Sequence, residues 1–125
     1  MAKRPIIELR RVSKIYAAQE RTNSTQVRAL DAVDVTVGEG EWLAIMGPSG
    51  SGKSSMVNLV GCLDRPTSGN IIIDGQDVSQ LTTTELNRFR AEKIGFVFQQ
   101  FHLVPYLTAV ENVMLAQYFH SMTDE

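Results

Sequence analysis

Cysteine is almost absent from this sequence of 125 residues, and long hydrophobic runs are missing altogether. The single cysteine, Cys62, excludes an internal disulfide and fits a reducing compartment. It stands where the first helix is expected to end, which suits a packed structural thiol better than a reactive one. No apolar stretch approaches the roughly 20 residues of a membrane span, and the N-terminus has no signal-peptide core, so a soluble chain is expected. Charge of one sign is lacking too. Lys and Arg number 12 against 14 Asp and Glu, for a net charge of −2. The basic residues are scattered apart from short pairs such as Lys3-Arg4 and Arg10-Arg11, so no nucleic-acid partner is expected. Internal repeats and low-complexity segments are also missing. What is left is 43% hydrophobic and 21% charged, an ordinary globular composition with length for one domain.

Glycine, at 9 residues, is present in an ordinary share, but three of the nine fall in one short run. The run Gly47-Pro48-Ser49-Gly50-Ser51-Gly52-Lys53-Ser54 fits the phosphate-binding pattern G-x-x-x-x-G-K-[ST] without a mismatch. Glycines let the backbone turn so that consecutive N–H groups face a phosphate. Lys53 brings a point charge to the outer phosphates of a nucleoside triphosphate, and Ser54 offers a hydroxyl to Mg²⁺. A helix starting there, with Ser55 in its first turn, adds its positive end to the same anion. Before the run, Trp42-Leu43-Ala44-Ile45-Met46 is a continuous apolar segment of strand length, as expected for a strand buried on both faces. After it, Met56, Val57 and Val60 are spaced to form one helix face. Strand, glycine loop and helix are the setting the motif requires.

Elsewhere the pattern is readable in outline. Ile6 to Arg10 predicts a short strand, and Val33, Val35 and Val37 alternate with Asp34 and Thr36 as in a half-buried one. Ala17 to Gln26 reads as a loop or hairpin tip. Asp64-Arg65-Pro66-Thr67-Ser68-Gly69 is dense in turn residues and predicts a loop. Ile71-Ile72-Ile73 followed by Asp74-Gly75 predicts a strand entering a tight turn. Thr82-Thr83-Thr84-Glu85 offers a capping-box start for a helix to about Lys93. Ile94-Gly95-Phe96-Val97-Phe98 is a second continuous apolar strand candidate, leading into Gln99-Gln100. Thr108 can cap a last helix to about Phe119. His102 and His120 have no Cys, Asp or Glu partner at ligand spacing, so both read as surface or helix-face residues.

The order of these pieces resembles the ATPase subunit of ATP-binding cassette transporters over nearly the whole sequence. The phosphate loop, the stretch Leu59-Val60-Gly61-Cys62-Leu63-Asp64-Arg65-Pro66-Thr67-Ser68-Gly69 and the stretch Ile94 to Phe101 together resemble the branch serving lipoprotein release and macrolide efflux. The resemblance implies a mixed α/β fold: a P-loop ATPase core, incomplete, with an N-terminal antiparallel β subdomain packed against partial parallel strands. It implies ATP and Mg²⁺ as cofactors, bound by Tyr16 and by Gly47, Pro48, Ser49, Gly50, Ser51, Gly52, Lys53, Ser54 and Ser55. Tyr16 matches the aromatic that stacks on adenine, with a half-buried surface tyrosine as the other reading. Gln99 matches the glutamine that touches Mg²⁺ and the attacking water. An uncharged amide that accepts from water and ligates a hard cation is apt there. Ser54 and Gln99 are thus the implied metal ligands, and Lys53 and Gln99 the implied catalytic residues. Phe101, Leu103, Val104 and Tyr106 lie where the family's membrane subunit docks, although core packing would also account for them.

The same resemblance implies that residues 1–125 are the N-terminal portion of one ATP-binding domain. The acidic Mg²⁺-binding pair, the signature that meets ATP on a second subunit, and the switch histidine have no counterpart in it; Asp124-Glu125 does not follow an apolar strand. Two functions remain open on this reading: an ATPase subunit driving export or lipoprotein release through a permease, and a truncated module that holds Mg-ATP without turnover. A phosphoryl transferase or GTPase is disfavoured, since no Asn-Lys-x-Asp pattern occurs. The implied partners are an integral-membrane permease and a second ATPase subunit, and the implied location is the cytoplasmic face of the cell membrane.

Overall fold

The computed structural model describes residues 3–17 and 26–122, with residues 119–122 described by backbone alone. Two compact units divide the chain, Met1–Thr82 and Thr83–Glu125.

The first unit is organised by a long β-hairpin. β1 (Pro5–Ala17) and β2 (Gln26–Gly38) are antiparallel strands of 13 residues each, more than twice the length predicted for the first. β3 (Ser68–Ile73) pairs with the other edge of β1, and the short β4 (Gln76–Asp77) pairs with β3, giving the sheet order β2-β1-β3-β4, antiparallel throughout. Asp74 (φ 51°) and Gly75 (φ 79°) make the two-residue turn between β3 and β4. Left-handed φ at both central residues is what a tight hairpin of this twist needs, and Asp-Gly supplies it.

Two bulges extend β1 and β2 past the expected strands. Arg10 and Arg11 face Asp34 alone, and Asp31 and Ala32 face Ser13 alone. Arg11 (φ 49°) and Ala32 (φ 45°) take left-handed backbone to do so. Each bulge frees an N–H from the ladder, and the residue opposite accepts it: Arg11 N–H donates to Asp34 Oδ1 at 2.8 Å and Ala32 N–H to the buried Ser13 Oγ at 2.9 Å. The bulges add right-handed twist, and β2 packs against α1 (Lys53–Val60). Thr67 and Gly69 pin the return loop to the same strand. Ile15 N–H donates to Thr67 Oγ1 at 2.9 Å, and a Cβ at Gly69 (φ +86°) would strike the Arg11 carbonyl.

The core of this unit is Leu9, Val12, Leu30, Val37, Leu59, Cys62, Ile71, Ile73 and Val78. In α1 Leu59 is buried, Met56 and Val60 are half-buried and Val57 is 48% exposed, so the packed face keeps Met56 and Val60 of the predicted one but is centred on Leu59 instead of Val57. The helix ends in a reciprocal pair of bonds, Leu63 N–H to the Asn58 carbonyl at 2.9 Å and Cys62 N–H to the Leu59 carbonyl at 3.2 Å. Cys62 takes the left-handed position (φ 60°) normally given to glycine. Its side chain is 1% exposed, as the packed-thiol reading predicts.

The two apolar strand candidates need correction. Residues 41–47 and 94–98 have no ladder partner among the described residues, and no parallel pairing joins the sheet. Trp42 and Val97 are fully exposed, and Met46 is 87% exposed. The physical reason is that a buried strand needs neighbours on both edges and cover on both faces, and no described element supplies them.

The second unit holds α2 (Thr83–Lys93) and α3 (Ala109–Met122), close to the predicted bounds. Thr108 opens α3 with a capping box, as expected: Glu111 N–H donates to Thr108 Oγ1 at 3.2 Å and Thr108 N–H to Glu111 Oε1 at 3.3 Å. The Asn112 side chain closes the loop before it, accepting from Val104 N–H at 2.9 Å and donating to the Thr108 carbonyl at 2.9 Å. Among the described residues no helix is long and apolar enough to cross a membrane. The Ala17–Gln26 loop falls largely on residues 18–25, outside those described, as do Asp124-Glu125 and the His120 side chain.

Candidate functional site

The glycine run forms a loop closed by Ser51 N–H donating to the Pro48 carbonyl at 3.2 Å. Gly52 ends it with φ +93°, and a Cβ there would lie 2.5 Å from the Ala29 carbonyl oxygen and 3.2 Å from the Leu30 side chain. Only glycine lets the loop press this closely against β2. Helix α1 then begins at Lys53 with no side-chain cap and no acidic residue in its first turn. Its first intrahelical bond runs from Met56 N–H to the Gly52 carbonyl at 3.0 Å. The N–H groups of Lys53, Ser54 and Ser55 therefore have no acceptor within the helix. Lys53 folds back and donates from Nζ to the Gly47 carbonyl, at the far end of the loop. Uncapped donors, the positive end of a helix dipole and an ammonium group meet in one place, which is the chemistry of an anion site.

The cleft in front of the loop has a volume of about 470 Å³ and is lined by Ser49, Gly50, Gly52, Lys53, Ser54 and Ser55 on one side. Tyr16, Val27, Arg28 and Ala29, from the ends of β1 and β2, complete it. Tyr16 and Val27 face each other across the strand pair, so an aromatic ring and a β-branched side chain stand side by side. Tyr16 is 39% exposed. The structure thus gathers Tyr16 and the phosphate loop into one cleft whose polar end would take phosphates and whose aromatic end offers a flat apolar surface. These residues fit a nucleoside triphosphate with its metal: backbone donors and Lys53 for the phosphates, the Ser54 hydroxyl for a hard cation.

Three participants were not legible beforehand. Lys14 stands over the Tyr16 ring, its Nζ 5.2 Å from the ring centroid, and bonds Asp64 Oδ1 at 3.1 Å and the Arg65 carbonyl at 2.8 Å. Asp64 Oδ2 takes the Tyr16 hydroxyl at 3.3 Å. Burial pushes the Asp64 carboxyl up, but the Arg65 N–H, the Lys14 ammonium and the Tyr16 hydroxyl outweigh it and hold it below its ordinary range. Period-two alternation in β1 could have paired Lys14 with Tyr16. Val27 and Asp64 carry no local signal, since strand register and the return loop bring them there.

Gln99 stands in the second unit, on an exposed bend after Phe98. Phe96 and Phe98 stack with centroids 5.6 Å apart, and His102 (φ 50°) meets Phe98 edge-on at 4.9 Å. Of the four apolar residues after Gln100, Phe101, Leu103 and Tyr106 are 88%, 65% and 87% exposed, and Val104 is half-buried. Among the described residues no cluster of three or more His, Cys, Asp or Glu could hold a metal ion.

Comparison with known proteins bears on this site. The profile of the ABC transporter family matches residues 30–125. An uncharacterized ABC transporter ATP-binding protein, MJ0796 of Methanocaldococcus jannaschii, is 49% identical over 114 residues, covering 91% of this chain and 47% of that protein. The macrolide export ATP-binding/permease protein MacB of Hyphomonas neptunium is 49% identical over 109 residues, covering 87% of this chain and 16% of that protein. The dimeric, post-hydrolysis structure of the MJ0796 cassette bound to ADP and Pi superposes with a TM-score of 0.80 at 47% identity, covering 91% of this chain and 47% of that one. The chain therefore spans about half or less of the length of these relatives.

Proposed function

The chain belongs to the ABC transporter family, in its ATP-binding part, and from that premise we propose that it binds Mg-ATP in the cleft between Tyr16 and the phosphate loop. The observation behind this reading is the convergence of uncapped α1 N–H groups, Lys53 and Tyr16 on one cleft. The loop backbone from Gly47 to Ser55 and Lys53 hold the phosphates, Tyr16 stacks on adenine, and Ser54 and Gln99 are the residues that would hold Mg²⁺. Bound Mg²⁺ would neutralise charge on the phosphates during their transfer. Gln99 orients the attacking water as an uncharged acceptor.

Residues 1–125 are the N-terminal portion of one ATP-binding domain on this reading, consistent with their 47% share of the MJ0796 protein. The complete domain couples ATP binding and hydrolysis to export or lipoprotein release. It does so as a dimer docked on a permease at the cytoplasmic face of the membrane. The dimer in the MJ0796 structure and the ATP-binding/permease name of the MacB relative support these partners. The exposed Phe101, Leu103 and Tyr106 suit the permease contact.

Thermal unfolding with and without Mg-ATP tests the binding reading. A ligand of the folded state adds about 2.7 kcal/mol at a hundredfold excess over its dissociation constant. The midpoint is expected to rise in the parent and not in Lys53→Ala. No rise in the parent would overturn the assignment of the cleft. A rise without phosphate release would leave the chain as a nucleotide-binding module.

A further inference from the structure

We propose that Lys14 and Asp64 are positioning residues that, with Ser55, lock the Tyr16 ring to the first turn of α1, holding base and phosphates at one fixed spacing. The inference rests on the reading of Tyr16 as the adenine platform. It goes further by assigning work to residues outside the phosphate loop.

Every polar atom in the group is engaged. The Asp64 carboxylate is anchored through Oδ1 by Lys14 Nζ at 3.1 Å and by the Arg65 N–H at 2.8 Å. That leaves Oδ2 to accept the Tyr16 hydroxyl at 3.3 Å. A carboxylate held in its ionised form only accepts, so the tyrosine hydroxyl donates to it. The Ser55 hydroxyl, 3.4 Å away, is then the donor to the tyrosine oxygen. Ser55 lies in the helical turn that carries the phosphate-facing N–H groups, so the ring hydroxyl is tied directly to the phosphate cradle.

Lys14 fixes the ring a second way. Its ammonium lies against the ring at 5.2 Å, its side chain is only 14% exposed, and the Arg65 carbonyl holds it at 2.8 Å. A cation over a tyrosine face both orients the ring and polarises it. The platform is thus built before any base arrives, so little side-chain freedom remains to be lost on binding.

A purely structural role for Asp64, stitching the return loop to β1, predicts something different, and a ligand without a base separates the two. Equilibrium binding of Mg-ATP and of Mg-tripolyphosphate to the purified chain is compared for the parent, Tyr16→Ala, Tyr16→Phe, Asp64→Ala, Asp64→Asn and the double variant Tyr16→Phe/Asp64→Ala. Tyr16→Phe keeps the ring and removes only the hydroxyl, so folding is not at risk. Tyr16→Phe and Asp64→Ala are each expected to weaken Mg-ATP about three- to tenfold, the net range of one hydrogen bond at a partly exposed site. The double variant is expected to be no weaker than either, Asp64→Asn to recover part of the loss, and tripolyphosphate to bind as in the parent. Equal losses for both ligands would overturn the proposal in favour of a structural stitch. Parent-like ATP binding by Tyr16→Phe and Asp64→Ala, with Tyr16→Ala weakened, would overturn positioning and leave the platform standing. Parent-like ATP binding by Tyr16→Ala would remove the platform itself and the proposal with it.

Discussion

A side chain at Gly52 would meet two obstacles at once. Left-handed backbone costs an ordinary residue about 1–2 kcal/mol, and the Cβ would also sit 2.5 Å from the Ala29 carbonyl oxygen. Gly52→Ala is therefore expected to lower stability by more than about 1 kcal/mol and to abolish the Mg-ATP shift, both read in one melting experiment. Asp64 and Asp77 make a second residue-scale expectation. Burial raises the Asp77 carboxyl, but the Ser79 hydroxyl and N–H, with Asn70 and Arg10, outweigh it, so it too lies below its ordinary range. Both folded values lie under the unfolded value of about 3.9. Each carboxylate thus stabilises the fold above that pH, and the contribution fades as pH falls through the folded value. Asp64→Asn should flatten the acid limb of a stability–pH curve below about pH 4; an unchanged limb would mean that the carboxylate's bonds contribute nothing.

Elements in this chain start and stop by identifiable chemistry. Thr108 and Glu111 exchange hydrogen bonds at the head of α3, and removing such a cap costs about 1 kcal/mol. Thr108→Ala should lower the unfolding free energy from denaturant melts by that amount, and Thr108→Ser should restore most of it. At the end of α1 the left-handed position falls to Cys62. There burial is worth more than backbone ease, since the side chain is fully enclosed in the core. In the hairpin, the paired bulges at Arg11 and Ala32 are the device that bends β1 and β2 toward the phosphate loop. Without the Ser13 and Asp34 acceptors each would leave a stranded N–H.

At the scale of the whole molecule, the apolar segments 42–46 and 94–98 stand out. A run of exposed aliphatic and aromatic groups without a ladder invites pairing with other chains. Trp42, fully exposed and the single tryptophan, reports on this directly. Its emission is expected to match free tryptophan and to be quenched by acrylamide at close to the unprotected rate. Association with rising concentration should then move the emission to the blue. A protected, blue-emitting Trp42 in the dilute chain would show that the segment is covered after all.

The phosphate loop was legible in the residues alone, because its chemistry depends on types and spacing that stay local: glycines for the turn, Lys53 and Ser54 just after it. The same holds for the Asp74-Gly75 turn, the Thr108 cap and the end of α1 near Cys62. Burial was not local. Trp42 to Met46 and Ile94 to Phe98 read as buried strands by hydrophobicity, yet burial belongs to the neighbours a strand finds and not to the strand. Likewise Leu59 and not Val57 is buried in α1, an outcome their shared apolar character does not decide. The surroundings of Tyr16 in the cleft were decided by tertiary structure. Tyr16 could be picked out, but Lys14, Val27 and Asp64 reach it through strand register, two bulges and a return loop pinned by Thr67 and Gly69. Contacts spanning 50 to 52 positions along the chain, as between Lys14 and Asp64 or Ile15 and Thr67, leave no mark in local spacing.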